Sequence, residues 1–176
     1  MHVGRSASER SSKETALAAL YDEYYDKIAR YIFVRIGDRA EAEDLAGEAF
    51  LKALQSLDSY KERGIPMRAW LFKIAHNLVV DYLRQAAKRK TVSIDTVQVV
   101  AEENPQAVVE TKMELERVTR AFDQLTPAQR QIIELRFFGG LTSEETGRIL
   151  NKSSGAIREM QSAAIKQLRK LLGEEP

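Results

Sequence analysis

The sequence predicts an all-α protein built as two small helical domains joined by a flexible linker. Three observations lead there. Apolar residues recur at three-and-four spacing through most of the 176 residues, which is the period of a helix and not of a strand. A Ser or Thr followed three residues later by Glu or Gln, the mark of a capping box, stands at Ser11/Glu14, Thr126/Gln129 and Thr142/Glu145. Between these helical stretches TVSIDTVQVVAEENP loses the period, and its valines have no second strand to pair with, so it reads as an extended linker. The boundaries that follow are a disordered tail over 1–11, a first domain over 12–90, a linker over 91–104 and a second domain over 105–173.

Each helix has its own signals. From Leu17, the positions Leu20, Tyr24, Ile28, Tyr31 and Ile32 mark one buried side, ending near Gly37. Asp38 can cap the next helix, whose stripe is Leu45, Ala46, Ala49, Phe50, Ala53 and Leu54. Gly64 breaks the chain and Pro66 stands where a first helical residue is expected; Trp70, Leu71, Ile74, Leu78 and Tyr82 then recur at helical spacing. Pro105 opens a fourth helix, with Val108, Met113, Leu115, Val118, Phe122 and Leu125 expected on its buried side. Thr126 with Pro127 starts a fifth, which carries Ile132, Ile133, Leu135 and Phe137 to the Gly139-Gly140 break. Thr142 opens a short sixth helix to about Leu150, and Ser153 or Ser154 starts a last one that Gly173 stops after Leu172. Helix, three-residue turn, longer helix is the outline of a helix-turn-helix, although many helical hairpins share it.

Composition excludes several functions. An apolar fraction of 44% is ample for folded cores. No apolar run approaches the ~18 residues of a membrane span, and MHVGRSASERSSKE lacks a hydrophobic signal core, so a cytoplasmic chain without membrane insertion is expected. Without cysteine, and with only His2 and His76, neither a disulfide nor a metal site is expected, and no cofactor motif appears. No nucleotide-binding glycine loop or nucleophile-base pair points to an enzyme. His76 beside Asn77 is the one catalytic-looking polar pair, and a surface or phosphate contact is the expectation for that histidine.

The net charge of +1 hides a segregation of signs. Asp38, Glu41, Glu43, Asp44 and Glu48 make one helix start acidic; Lys61, Arg63, Arg68 and Lys88 to Lys90 make the next segment basic; Glu102, Glu103, Glu110, Glu114 and Glu116 make the middle acidic again. Separate surfaces for separate partners follow, with the last acidic run a candidate shield for the basic surface. The basic segment also carries aromatics. Holding a single strand of nucleic acid requires flat rings for the bases and cations for the phosphates, and Trp70, Phe72 and Tyr82 with Arg68, Lys73, Arg84, Lys88, Arg89 and Lys90 supply both. The same rings at helical spacing are equally suited to a core, and a basic helix end to the helix dipole.

Taken together, AEDLAGEAFLKAL (Ala42 to Leu54), RAWLFKIAHNLVVDYLR (Arg68 to Arg84) and LTPAQRQIIELRFFGGLTSEETGRILNKSSGAIREMQSAAIKQLRKLL (Leu125 to Leu172) resemble regions 2.1–2.2, 2.3–2.4 and 4 of the extracytoplasmic-function (group IV) sigma factors of bacterial RNA polymerase. The resemblance implies a region 2 bundle and a region 4 helix-turn-helix. It implies docking of Asp44, Leu45, Glu48 and Phe50 on the clamp helices of the polymerase's largest subunit, and of region 4 on the flap of the second subunit. It implies capture of the minus-ten promoter element as a single strand by Tyr60, Lys61, Arg63, Arg68, Trp70, Lys73, Asn77, Asp81, Arg84 and Lys88. The minus-thirty-five duplex would fall to Lys152, Ser153, Ser154, Gly155, Arg158 and Lys166, and an anti-sigma factor is the implied regulator. On chemistry alone, Glu48 could instead pair with Lys52, and Asp81 with Arg84.

Three departures stand out. Glu159 in the last helix would face an anionic groove or accept from cytosine, Thr146-Gly147 replaces the usual apolar-alanine pair at a cost of roughly 1 kcal/mol for the glycine, and Gly47 stands where glutamine is common. Melting about ten base pairs costs on the order of 14 kcal/mol at ~1.4 per step, while one aromatic stack returns ~1–3. Such a chain therefore captures bases that a larger machine helps to open. Two rivals remain on sequence grounds: a stand-alone helix-turn-helix regulator, which leaves Pro66 to Lys90 without a role, and a purely protein-binding helical module.

Overall fold

The computed structural model describes residues 3–61, 64–89 and 105–174, and among them every regular element is helical. In chain order these are α1 (Val3–Ile36), α2 (Arg39–Gln55), a 3-10 turn (Leu57–Ser59), α3 (Met67–Lys88), α4 (Pro105–Asp123), α5 (Pro127–Ile133) running into a π-helical turn (Glu134–Phe138), α6 (Ser143–Leu150) and α7 (Ser154–Leu172). The expected linker, 91–104, lies outside the described residues.

Helices α1 to α3 form the first lobe. Ile28, Tyr31 and Ile32 of α1, Ala46, Ala49 and Ala53 of α2, and Leu71, Phe72, Ala75 and Val79 of α3 are fully buried against one another. The alanine face of α2 leaves room for the rings of α1 and α3: Phe72 meets Tyr24 and Tyr31 edge-on, at centroid distances of 6.2 and 5.8 Å. Asp38 caps α2 as expected, its side chain accepting from the Glu41 amide at 3.0 Å.

Several expectations need correction here. Helix α1 begins at Val3, so residues 3–11 are helical and not a disordered tail. Arg10 donates to Glu14 and to Asp58, and Lys13 lies 3.7 Å from Glu9 and donates to the Tyr60 carbonyl, ties that carry the helix past Ser11. Ser11 is thus interior, its carbonyl accepting from Thr15 Oγ1. Pro66 occupies the cap position and Met67 is the first helical residue. Leu54 is 41% exposed, outside the α2 stripe, and Met113 and Val118 of α4 are 65% and 40% exposed. Helix α4 meets the rest of its lobe at its C-terminal end, where Phe122 packs under Leu125, Ile133 and Ala164.

The second lobe has the capping predicted for it. Thr126/Gln129 and Thr142/Glu145 form reciprocal capping boxes on α5 and α6, and Ser153 caps α7 through the Ala156 amide. Its Leu135, Leu141 and Ile149 do not join the α4–α7 cluster; they complete the core of α1 to α3, so the two lobes share one hydrophobic interior. Gly139 lies at this seam, where a Cβ would meet the Leu135 carbonyl at 2.6 Å and the Phe72 ring at 3.1 Å.

Gly147 has a structural reason that outweighs its propensity cost. The α6–α7 turn passes through left-handed Asn151 (φ 56°), and the Lys152 amide donates to the Gly147 carbonyl at 2.8 Å. A Cβ on residue 147 would sit 2.4 Å from the Lys152 carbonyl oxygen. Gly147→Ala, favourable by up to ~1 kcal/mol in an ordinary helix, is therefore expected to destabilise by about 1–3 kcal/mol. Urea denaturation checks this, and a more stable variant would show that the turn relaxes freely.

Candidate nucleic-acid and polymerase interface

One face of α3 is anchored in the core by Leu71, Phe72, Ala75, Leu78 and Val79. The opposite face presents Lys73, Asn77, Asp81, Arg84 and Lys88, all exposed, at successive three-and-four spacing. They form one polar stripe along the helix. Asp81 Oδ1 lies 3.6 Å from Arg84 Nη1, so the intrahelical pairing left open by the sequence is present.

At the entry of that stripe the 60–66 loop brings two rings together. Tyr60 is buried, its hydroxyl donates to the Ile65 carbonyl at 2.9 Å, and its ring centre lies 5.0 Å from that of half-buried Trp70. The tyrosine thus ties position 60 to position 65, and its ring packs on that of Trp70. Tyr60, Lys61, Trp70 and Lys73 line a cleft of about 470 Å³, which Arg148 and Asn151 of the second lobe line from the other side. Arg63 lies outside the described residues.

Arg68 is also brought to this region, but already engaged. Its Nε and Nη2 donate to the two carboxylate oxygens of Glu145 at 2.8 and 3.0 Å, and Nη1 donates to the Tyr24 hydroxyl at 3.1 Å. These bonds raise the guanidinium pKa further; burial alone would raise that of Glu145, but Arg68 and Thr142 hold the carboxyl below its usual range. His76 is not at the surface. It is buried, with Nδ1 3.0 Å from the Tyr31 hydroxyl and 3.2 Å from Arg35 Nη1. Since guanidinium only donates, Nδ1 carries the lone pair and the ring is neutral, and burial, then Arg35, push its pKa down to about 4.

On α2, Asp44 and Glu48 are exposed as required of a contact strip, with Glu48 3.7 Å from Lys52. Leu45 and Phe50 are not: they are 9% and 7% exposed, and Phe50 meets Tyr21 edge-on at 4.9 Å. The exposed apolar residue one turn beyond Glu48 is Leu51, 54% exposed. On the second lobe, Lys152, Ser153, Arg158 and Lys166 are exposed at the start and along one side of α7, Ser154 and Gly155 are half-buried, and Glu159 is exposed among them. Arg136 ties α7 to the preceding hairpin by donating to Gln161 Oε1 at 2.8 Å and to the Leu141 carbonyl. An apolar groove of about 320 Å³ runs between Phe122, Ile133, Phe137, Ile165 and Leu168.

Against known families, residues 20–89 match the Sigma-70 region 2 model and residues 121–170 the Sigma-70, region 4 model. The chain is similar to the ECF RNA polymerase sigma factor SigD of Mycobacterium bovis, with 30% identity over 81% of this chain and 70% of that one. It belongs to the ECF sigma factors of the sigma-70 family.

Membership carries the promoter-directing role of a sigma factor. The ECF sigma factor BldN of Streptomyces coelicolor is 35% identical over 94% of the chain, which spans 64% of BldN's length. The fold matches that of RpoE from Bartonella quintana, solved with the anti-sigma factor NepR, at a TM-score of 0.71 over 90% of this chain and 98% of that one, with 22% identity. It matches that of CnrH, solved with the cytosolic domain of CnrY, at 0.69 over 97% and 96%, also with 22% identity. In this sigma factor α2 and α3 fall in region 2 and α5 to α7 in region 4, so the Arg68–Glu145 contact crosses between the regions. A second contact crosses with it: Arg35 Nε lies 3.2 Å from Glu134 Oε2, with the carboxylate 1% exposed. Burial pushes Glu134 up to about 7 against the opposing pull of Arg35 and Arg130. The sequence gives a weak signal for this pair, charges embedded in the apolar runs YIFVRI and IIELRFF.

Proposed function

We propose that this sigma factor holds the minus-ten element as a single strand along α3, with an unpaired base received at the Tyr60–Trp70 cleft, and the minus-thirty-five duplex on the start of α7. The observation that carries the reading is the stripe of Lys73, Asn77, Arg84 and Lys88 leading away from an aromatic pair, of which Trp70 stands on the same helix and Tyr60 ahead of it in the chain. Cations at the pitch of a helix can follow a phosphate backbone while the rings take over base stacking. At α7, free backbone amides behind the Ser153 cap, with Lys152 and Arg158, suit a phosphate of the duplex, and Lys166 extends the contact.

Docking on the polymerase's clamp helices is assigned to Asp44, Glu48 and Leu51 of α2, and docking on the flap to the apolar groove beside Phe137, which is 60% exposed. Leu51→Glu is expected to weaken binding to core polymerase about tenfold or more while changing stability by no more than ~0.5 kcal/mol. Phe50→Ala should do the reverse, costing about 3–5 kcal/mol of stability as a core truncation. Equilibrium binding to core, run beside denaturation of both variants, separates the two roles; loss of core binding in a fully folded F50A would move the contact back to Phe50. An anti-sigma partner is proposed because the matching fold of RpoE was solved with the anti-sigma factor NepR.

The reading is tested by mixing the purified chain with sigma-free core polymerase on fragmented genomic DNA and mapping transcript 5′ ends. Starts sharing upstream sequence elements are expected. Starts no different from those of core alone would overturn it.

A further inference from the structure

The two lobes meet in an arrangement that a promoter-bound chain cannot keep. The elements to be read lie roughly 25 base pairs apart, about 85 Å of duplex at ~3.4 Å per pair, yet Asn151, adjacent to the α7 contacts, lines the same cleft as Tyr60 and Trp70. Residues 90–104 extend to at most about 50 Å, so reading both elements requires the lobes to separate by tens of ångströms.

What holds them together competes directly with DNA. A guanidinium fork takes a carboxylate or a phosphate in the same bidentate geometry. Resting on the proposed single-strand role of α3, we infer that Glu145 is an internal competitor for the promoter strand: its carboxylate occupies on Arg68 the place of a backbone phosphate, and while it does so the α6–α7 turn walls off the base cleft. The carboxylate is built for the task. Its Oε2 also accepts from the Thr142 amide at 2.8 Å, so the capping box fixes it in position before Arg68 arrives, and its side chain is only 7% exposed. The Arg35–Glu134 contact closes the other end of the same seam, with Leu135, Leu141 and Ile149 packed between. On this inference Glu145 is the shield on the basic surface; of the acidic run expected to serve as one, Glu102 and Glu103 lie outside the described residues, and Glu114 and Glu116 are exposed on α4.

Glu145→Gln tests this in the full chain, because glutamine still serves a capping box while the charge opposing Arg68 is gone. Affinity for a fluorescent oligothymidine at fixed low salt should rise roughly tenfold, within the usual range of coupling between sites. The Glu116→Gln control, which removes an equal charge from α4, should leave it unchanged. Spin labels at D26C and E159C, in a chain free of other cysteines, should move apart in E145Q, in E134Q, and in the otherwise unaltered chain when oligothymidine saturates it. Equal affinities for E145Q and the parent, an equal gain in E116Q, or label distances that ignore both variants and the oligonucleotide would each overturn the inference. Failure of promoter-directed initiation would sink the sigma reading regardless of these results; flat oligothymidine data with initiation intact would sink the competitor alone.

Discussion

Trp70→Ala is expected to lower promoter-dependent initiation by about 10- to 100-fold, while affinity for core polymerase stays unchanged. The magnitude follows from the stack it removes, ~1–3 kcal/mol per base, with every ~1.4 kcal/mol worth a factor of ten. Trp70 also packs half-buried against the region 2 core beside Tyr60, so truncation costs some stability as well. Trp70→Phe separates the two effects, since it keeps a stacking ring and most of the apolar contact. Abortive initiation on a mapped promoter should show W70F close to the parent and W70A far below it. A W70A protein that initiates normally, or variants whose losses simply track their melting temperatures, would remove Trp70 from the promoter contact.

The second large effect concerns the buried pair between the regions. Arg35→Met removes from the Glu134 carboxylate, 1% exposed, the stronger of the two cations that act on it, leaving only Arg130, a change expected to cost about 3–5 kcal/mol. Glu134 and His76 also give the closed structure an opposed pH response. Glu134 holds its proton with a pKa of about 7 when buried, against 4.5 ordinarily, so its contribution is present at low pH and is lost as pH rises from about 4.5 to 7. His76, pushed from 6.5 down to about 4, contributes stability above pH 6.5 that is lost as pH falls towards 4. Between roughly pH 4.5 and 6.5 the two slopes cancel. Glu134→Gln removes one of them, so its stability relative to the parent should decline on acidification from pH 7 to 5, by on the order of 2–3 kcal/mol. Urea denaturation at pH 5, 6 and 7 measures the difference; parallel profiles would mean that Glu134 is ionised throughout.

Much of the architecture was legible because its signals are local. Thr126/Gln129, Thr142/Glu145 and Asp38 place helix starts where the structure has them, since a cap needs only residues within one turn. The α3 stripe was legible for the same reason: Lys73, Asn77, Asp81, Arg84 and Lys88 share a face by helical period alone. Helix α2 shows where that stops. Its apolar positions 45, 46, 49, 50, 51, 53 and 54 wrap most of the circumference, so the period could not choose between Phe50 and Leu51; packing against Tyr21 and Tyr25 chose Phe50 for the core. Met113 and Val118 failed similarly, because the apolar side of α4 is longer than the surface available to cover it. Arg35, Glu134 and the sharing of Arg68 with Glu145 depend on which face of region 4 meets region 2, a contact between residues 77 positions apart for the last pair. Gly147 reads as a weak helix residue until the path of the Lys152 carbonyl is known.

A photo-crosslinking residue at position 77, in holoenzyme assembled on a mapped promoter, reports on the strand contact itself, because Asn77 lies on the exposed stripe one turn beyond Lys73. The account predicts crosslinks to the unpaired strand of the minus-ten element, appearing only when the promoter is open. Crosslinks confined to upstream duplex or to polymerase subunits, with the promoter open, would contradict it.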